Sequence, residues 1–202
     1  MFEKLIQADQ ELLVFFNGLH NRFFDVLMYL MTHFWFWLPM LAVVLWLMWK
    51  HYQKKLYLVL AFFALSVVIT DQTSVFIKNS VQRPRPSHNV EIKDQLHLHQ
   101  YKNGNVYRGG KYGFVSSHAA NNFGLMVLFL YFFKPVKRRL LWIFPVWAVL
   151  SCYTRIYLGV HYPLDIVCGA FLGIFCGLLT LWFYRLSVQK IRESENENNT
   201  QP

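Results

Sequence analysis

The sequence predicts an all-α protein, an integral membrane helical bundle of about five transmembrane helices with an interfacial helix at the N-terminus. The first observation behind this prediction is composition, because hydrophobic residues make up 55% of the 202 residues and charged residues only 15%. A typical soluble domain has about 25% charged residues. The second observation is a series of long apolar runs, and the third is that basic residues cluster between these runs. The net charge of +9 therefore belongs to membrane loops and does not indicate a nucleic-acid partner.

Five apolar runs are the predicted spans. The first, residues 26–49, contains 24 residues, which exceeds the roughly 20 needed to cross the hydrocarbon core of a bilayer. The remaining four runs cover about residues 56–77, 119–133, 140–153 and 166–184. The third and fourth runs are short, so we expect each to include flanking residues when it crosses the membrane.

The two ends of the chain are predicted to lie outside the membrane domain, which covers residues 22–187. Residues 1–21 are apolar but interrupted by polar side chains such as Asp9 and Asn17, a pattern typical of a helix that lies in the membrane interface. The same segment also allows a sixth span. Residues 188–202 are polar and rich in Asn and Glu, which predicts a disordered tail.

The basic segments predict which side of the bundle faces the cytoplasm. They lie between the first and second spans, between the third and fourth, and after the fifth: Lys50, Lys54, Lys55, Lys134, Lys137, Arg138, Arg139, Arg185, Lys190 and Arg192. With five alternating spans these segments share one side, which the positive-inside rule makes cytoplasmic. The opposite, outer side receives the long loop 79–117 and the turn near 155–164.

A cationic patch is the first of three polar groups on the outer side. The segment 78–86 reads KNSVQRPRP, and its prolines stop the second span, so the chain leaves the membrane extended. Lys78, Arg83 and Arg85 then lie close together at the membrane surface. By itself the patch is equally consistent with an anchor for anionic lipid headgroups and with a phosphate site.

The other two polar groups also lie at the edges of spans. The segment 115–118, VSSH, precedes the third span, where serines either simply cap a helix or help its free N–H groups to bind a phosphate. The segment 154–165, TRIYLGVHYPLD, has Pro163 in the first turn of the fifth span. Asp165 lies in the same turn, where it can orient His161 and make the other ring nitrogen more nucleophilic.

In order and spacing, the three segments resemble the signature of the type 2 phosphatidic acid phosphatase superfamily, K-x6-RP, PSGH and SR-x5-H-x3-D. The resemblance covers about residues 55–185, and all six charged or imidazole positions match: Lys78, Arg85, His118, Arg155, His161 and Asp165. Three positions depart from the pattern, with Val115 for proline, Ser117 for glycine and Thr154 for serine. We expect these changes to alter the shape of the pocket and not its chemistry.

The resemblance implies a phosphatase mechanism without a metal ion or other cofactor. His161 would be the nucleophile that forms a phosphohistidine, Asp165 would orient it, and His118 would be the general acid and then the general base. The phosphoryl oxygens would be held by Lys78, Arg85, Ser116, the Ser117 N–H and Arg155. Fixed cations and N–H donors suit the charge that develops in phosphoryl transfer. Arg83 lies outside the signature, and we expect it to steer the lipid headgroup.

The function implied by the resemblance is that of a bacterial membrane lipid phosphatase in the inner membrane, with its active site facing the periplasm or exterior and its C-terminus in the cytoplasm. The first expectation for the substrate is undecaprenyl diphosphate, with phosphatidylglycerol phosphate, phosphatidic acid and the phosphate of lipid A as alternatives. A non-catalytic lipid-binding or transport protein is a second class, although binding alone does not need His161 paired to Asp165. The spans exclude a soluble acid phosphatase, and the small outer loop disfavours a haloperoxidase. The expected partners are the lipid phosphate and membrane lipids.

Two further patterns are interpreted as structural. Gly169, Gly173 and Gly177 recur every four residues in the fifth span, and such a strip lets a neighbouring helix approach closely. His97 and His99 form a His-x-His in the outer loop. Since they lack an evident set of further zinc ligands, we expect solvated histidines there.

Overall fold

The computed structural model describes residues 2–101 and 103–200, and these residues are folded almost entirely into helices. Seven α-helices follow one another: α1 (Phe2–Gly18), α2 (Arg22–Met31), α3 (Phe34–Tyr52), α4 (Leu56–Val81), α5 (Ser117–Lys137), α6 (Ile143–Tyr157) and α7 (Pro163–Thr200). The outer loop between α4 and α5 has short 3₁₀ turns and two isolated bridges, Pro84 with Tyr112 and Gln100 with Val106. The predicted all-α class is confirmed.

Three stretches of the described chain are long and apolar enough to cross a membrane. They are Phe34–Val81, which contains α3 and α4, Ser117–Leu140, which contains α5, and Pro163–Ile191 in α7. Their outward faces carry large exposed apolar side chains, including Trp35, Phe76 and Phe171. Such a surface would be an aggregation liability in water but suits contact with lipid. The bundle is therefore an integral membrane protein, in which α6, with 15 residues, is the shortest of the five predicted spans.

The first predicted span is divided into two helices. The hydroxyl of Thr32 donates to the Tyr29 carbonyl at 2.7 Å, and the indole N–H of Trp37 donates to the Met31 carbonyl at 2.7 Å. His33 between them has an extended backbone. The carbonyls at the end of α2 are thus satisfied by side chains, so the chain can break inside a run that hydropathy alone treats as continuous.

The N-terminal helix α1 is held to the bundle by buried polar side chains. Asn17, 1% exposed, donates to the Tyr157 carbonyl at 2.6 Å and accepts from the His97 N–H at 2.7 Å. Asp9, also buried, accepts from the Leu164 N–H at the start of α7 at 2.8 Å. These bonds account for the polar residues that interrupt the apolar segment, and an interfacial position for α1 stays a prediction.

The last helix extends beyond the predicted end of the membrane domain. The sequence predicts disorder from residue 188, whereas the backbone of α7 is helical to Thr200. Lys, Arg, Gln and Glu in this segment are good helix formers, and the Gln189 amide donates to the Glu193 carboxylate one turn later at 2.8 Å. Residues 201–202 lie outside the described residues.

Backbone contact between α5 and α7 determines where the outer ends of these helices lie. An added Cβ at Gly173 would clash with the Ala120 carbonyl oxygen, and one at Gly177 would lie 2.9 Å from the Gly124 carbonyl oxygen. The glycine strip predicted from the sequence is therefore a close helix contact. At its outer end the Ser116 N–H, just before α5, donates to the Asp165 carbonyl at 3.1 Å.

We predict that Gly173→Ala destabilises the bundle, because the new methyl group would have to push α7 away from the backbone of α5. Overpacking of this kind typically costs about 1–3 kcal/mol. Thermal unfolding in detergent, followed by circular dichroism, should show a lower midpoint. Gly18→Ala is the matched control, since a Cβ there meets nothing within 4 Å. An unchanged midpoint for Gly173→Ala would contradict the packing role of the strip.

Candidate active site

The polar site lies where the outer ends of four helices and the outer loop meet. The structure brings together all eight residues that the sequence singles out: Lys78 from α4, Arg85 from the outer loop, Ser116, Ser117 and His118 at the start of α5, Arg155 from α6, His161 from the turn after α6, and Asp165 from α7. Segments far apart in sequence thus meet at one place, although their chemical roles are not fixed by proximity alone.

His161 and Asp165 form a buried pair. His161 is 2% exposed and Asp165 is fully buried, and His161 Nδ1 lies 3.4 Å from Asp165 Oδ2. Since a carboxylate accepts, Nδ1 carries the proton and Nε2 keeps its lone pair. Burial lowers the pKa of His161 to about 4; the hydrogen bond to Asp165 opposes this shift, and the charges of Arg85 and Arg155 add to it. The imidazole is therefore neutral near pH 7, as a nucleophile requires.

His118 has partners for both of its ring nitrogens. Arg155 Nη2 lies 3.2 Å from Nδ1, and the Ser151 hydroxyl lies 2.9 Å from Nε2. Because a guanidinium can only donate, Nδ1 is the acceptor, and Nε2–H donates to Ser151. The amide of Asn122 also donates to the Ser151 hydroxyl, at 2.9 Å. Ser151 was missed by the sequence analysis, and its spacing of four residues from Arg155 on α6 is the signal that could have indicated it.

The three signature cations donate to neutral oxygens. Lys78 Nζ donates to the Ser117 hydroxyl at 2.8 Å, and the Ser74 hydroxyl donates to the same oxygen at 2.7 Å. Arg85 Nε donates to the Tyr112 carbonyl at 3.1 Å. Arg155 Nη1 donates to the Tyr107 hydroxyl at 2.8 Å. Burial and the nearby charge of Arg155 lower the pKa of Arg85. Among the described residues, no carboxylate lies within ion-pair distance of these three cations.

The departures from the family signature have local explanations. Ser117, in place of glycine, turns its hydroxyl toward Lys78 on α4. Thr154, in place of serine, donates to the Ser151 carbonyl within α6 at 2.7 Å. Ser116 is fully buried, and its hydroxyl caps α5 by accepting from the Ala119 N–H at 3.3 Å. A contact between the Ser116 hydroxyl and phosphate therefore stays a prediction.

Arg83 is paired with two carboxylates of the protein, an arrangement that does not favour its expected role in steering the headgroup. Its Nη1 donates to Asp165 Oδ1 at 2.8 Å, and its Nη2 donates to Asp9 Oδ2 at 2.7 Å. The guanidinium also lies over the ring of Tyr162, 3.9 Å from the centroid. Asp9 was missed as a site residue, because nothing local in α1 connects it to a residue 74 positions later.

Gly113 in the outer loop covers the His–Asp pair with its backbone. A Cβ at this position would lie 2.9 Å from Asp165 Oδ2, 3.2 Å from Arg85 Cγ and 3.6 Å from His161 Nδ1. The Gly113 N–H donates to the Arg83 carbonyl at 2.9 Å, which fixes the loop there. This close approach favours glycine at position 113, and the sequence analysis did not identify it.

An apolar cavity of about 480 Å³ adjoins the polar site. It lies among α3, α4, α5 and α6, and its walls include Trp37, Val44, Phe63, Phe129 and Trp147. Its polar lining includes His118, Asn122, Ser151 and Arg155. The arrangement can place an apolar chain beside a bound anion.

The outer-loop histidines have partners within the protein. His97 Nε2 lies 3.2 Å from Asp25 Oδ2, and the His97 ring stacks on His20 with the centroids 3.7 Å apart. His99 stacks on Tyr29 in the same way, at 3.8 Å. His20, Asp25 and His97 bring one ligand atom each to within 4.8 Å of one another. The two parallel imidazole planes, however, do not direct their lone pairs at a common point, as a tetrahedral metal site would require.

Comparison with known families assigns this arrangement to one class of membrane phosphatase. The model of the PAP2 superfamily matches residues 55–189, more than half of the chain, and the chain therefore belongs to this superfamily. The resemblance inferred from the three polar segments is confirmed. The protein is accordingly an enzyme, a PAP2-type membrane lipid phosphatase.

Two relatives and one solved structure are similar over most of the chain. The lipid A 4'-phosphatase of Bacteroides thetaiotaomicron is 40% identical over 182 residues, which are 89% of this chain and 78% of the relative. The lipid A 4'-phosphatase of Porphyromonas gingivalis is 32% identical over 179 residues, 87% of this chain and 72% of the relative. The crystal structure of a transmembrane PAP2-type phosphatidylglycerolphosphate phosphatase from Bacillus subtilis has a TM-score of 0.64 at 21% identity, covering 90% of this chain and 87% of that one. This last similarity supports the fold.

We predict that Gly113→Ala impairs turnover while leaving the bundle intact. The new methyl group would contact the carboxylate that faces His161, and displacements of about 1 Å near reacting groups cost up to about 10²-fold in rate. Turnover of an aryl phosphate and of a lipid phosphate should both fall by about ten-fold or more. Gly110→Ala in the same loop is the control, because a Cβ there meets nothing within 4 Å. Equal activities of the two variants would argue against a constrained His–Asp pair.

Proposed function

We propose that this protein removes the 4'-phosphate of lipid A. The observation that carries the proposal is the 40% identity, over 89% of the chain, to a lipid A 4'-phosphatase. The apolar cavity beside His118 and Arg155 supports a substrate that carries acyl chains near its phosphate. Undecaprenyl diphosphate, the first expectation from the sequence, is not confirmed by the comparisons, and lipid A replaces it as the leading substrate.

In the proposed mechanism His161 Nε2 attacks phosphorus, so that a P–N bond forms as the P–O bond to the sugar breaks. His118, protonated on Nδ1 once Arg155 turns from it to the phosphate, gives that proton to the leaving sugar oxygen. Neutral His118 then removes a proton from water, whose oxygen attacks the phosphohistidine and releases inorganic phosphate. Asp165 holds the Nδ1 proton of His161 throughout, which keeps Nε2 directed at phosphorus.

Lys78, Arg85 and Arg155 supply positive charge around the phosphoryl group in this mechanism. Each now donates to a neutral oxygen, so a phosphate oxygen can replace that partner without leaving a buried carboxylate unpaired. The backbone N–H groups at the start of α5, beginning with Ser117, add donors at a helix N-terminus. Fixed donors of this kind stabilise the charge spread over the equatorial oxygens.

We also infer that the protein lies in the bacterial inner membrane with this site facing the periplasm. The support is the basic side of the bundle, where Lys50, Lys54 and Lys55 join α3 to α4 and further basic residues follow α5 and α7. The polar site lies at the opposite ends of these helices. The positive-inside rule then directs the site outward.

The roles of the two histidines predict where a covalent phosphate accumulates. His161→Ala should abolish turnover, because no phosphohistidine can form. His118→Ala should lower lipid turnover by about 10²–10⁴-fold, the usual loss when general acid–base catalysis is removed, and its phosphoenzyme should persist because water is no longer activated. The measurement is an alkaline quench after reaction with a ³²P-labelled aryl phosphate, whose leaving group needs no proton.

Label on the His118 variant and none on the His161 variant is the expected result of that quench. Loss of the label on heating in acid identifies a phosphoramidate bond. Label on the His161 variant and none on the His118 variant would show that the roles are exchanged.

The substrate proposal predicts a preference among four lipids presented in the same detergent micelles. We expect kcat/KM for lipid A carrying both phosphates to exceed that for undecaprenyl diphosphate, phosphatidylglycerol phosphate and phosphatidic acid by at least about ten-fold, a range that pocket contacts can provide. Fragment masses of the product should show loss of the phosphate from the 4' position. Membranes with the His161→Ala variant give the background. Faster turnover of any of the other three lipids, or loss of the 1-phosphate, would overturn the proposal.

A further inference from the structure

We propose that Asp9 and Arg83 are positioning residues of the active site, in which Arg83 bridges two carboxylates and thereby sets the orientation and effective charge of Asp165 behind His161. The proposal rests on the phosphohistidine mechanism given above but not on the identity of the lipid. It assigns a role in turnover to α1, a helix that lies outside the matched family region of 55–189.

The contacts form one continuous chain behind the nucleophile. Arg83 Nη2 donates to Asp9 Oδ2 at 2.7 Å, and Arg83 Nη1 donates to Asp165 Oδ1 at 2.8 Å. The side chains of Asp9 and Asp165 are 4% and 0% exposed, and that of Arg83 is 19% exposed. Charged hydrogen bonds in such buried surroundings are stronger than surface pairs.

Every bond of this chain restricts the rotation of a carboxylate. Asp165 Oδ1 accepts from Arg83, while Oδ2 accepts from the Tyr162 N–H at 3.1 Å and faces His161 Nδ1. Asp9 Oδ1 accepts from the Leu164 N–H, in the turn next to Asp165. Asp9 therefore anchors both the guanidinium and the backbone that carries Asp165.

Sharing one cation between two carboxylates also regulates charge. If Arg83 were paired with Asp165 alone, it would neutralise most of the negative charge of the Asp165 carboxylate. That negative charge stabilises the positive charge that His161 carries when it is protonated or bonded to phosphorus. With Asp9 on its other nitrogen, Arg83 divides its charge, and Asp165 keeps part of its negative potential at His161. Within the described part of the chain, the other charged or titratable groups that act on His161 include Arg85 from the outer loop, Arg155 from α6 and His118 from α5.

This charge sharing predicts shifts of opposite sign for two variants. In Arg83→Gln the full charge of Asp165 acts on His161, so its pKa should rise and the acid limb of kcat/KM should move to higher pH. In Asp9→Asn the whole charge of Arg83 acts on Asp165, so the acid limb should move to lower pH. Both variants should lower kcat by about 10- to 100-fold through loss of alignment, while KM changes by less than about three-fold, since neither residue contacts the phosphate site.

The experiment measures kcat and KM between about pH 3 and pH 8, with an aryl phosphate that the wild-type protein hydrolyses. The ionisation of the substrate, near pH 6, is common to all variants, so profiles are compared as ratios to wild type. Arg83→Lys retains a cation and should restore the acid limb close to its wild-type position. Glu11→Gln is the matched control, because this exposed residue lies on the same helix and its carboxylate accepts from Gln7.

Unfolding midpoints distinguish positioning from a purely structural role. If both variants lose activity only in proportion to lost folded protein, with kcat per folded molecule and the acid limb unchanged, the proposal is overturned. It is also overturned if the acid limbs of Arg83→Gln and Asp9→Asn move in the same direction. If Arg83→Gln does not fold, the pH profiles of Asp9→Asn and Arg83→Lys still show whether the acid limb of kcat/KM has moved. Failure of the wild type to act on lipid A, by contrast, would reject only the substrate assignment.

Discussion

The approach of α5 to α7 without intervening side chains is the constraint from which the site follows. Apolar surface in a bilayer gains little by leaving lipid, so helices associate through packing and hydrogen bonds. Gly173 and Gly177 allow carbonyl oxygens of α5 to lie against the backbone of α7. The N-termini of both helices therefore reach the same outer level, where the Ser116 N–H meets the Asp165 carbonyl. Two helix N-termini beside each other form a region of positive potential suited to a phosphate.

The hydrogen-bond partners of the cations distinguish three cations that are available to a ligand from one that is already paired with carboxylates. Lys78, Arg85 and Arg155 donate to hydroxyl or carbonyl oxygens, which an anion can displace at little cost. Arg83 instead donates to two buried carboxylates, and removing one partner from such a group leaves an uncompensated charge. Arg83 and Arg85, two residues apart in the chain, therefore differ in role: Arg85 is available to an anion, whereas Arg83 is already paired with two carboxylates. The distinction is one of hydrogen-bond partner and not of sequence position.

The family signature identified site residues that lie far apart in the chain, such as Lys78 and Ser117, whereas residues outside the signature were missed when their contacts are not local. The distance from His161 to Asp165 is one turn, so their pairing follows from spacing. Asp9, in contrast, contacts Leu164, 155 positions later, and no local pattern encodes that contact. Gly113 is one glycine among several in a polar loop, and only the fold places the His–Asp pair beneath it. Hydropathy predicted the bundle, because each span is a long apolar run. It missed the break in the first run, because hydropathy does not register a backbone carbonyl that accepts a hydrogen bond from Thr32.

That break has a consequence for how a lipid meets a polar site. Met31, Thr32 and Phe34 lie at or beside it, and all three line the apolar cavity that ends at His118 and Arg155. A single straight helix from residue 26 to residue 49 would carry the chain past this level without a change of direction. The break therefore places residues of both α2 and α3 on the wall of the cavity whose polar lining includes His118 and Arg155.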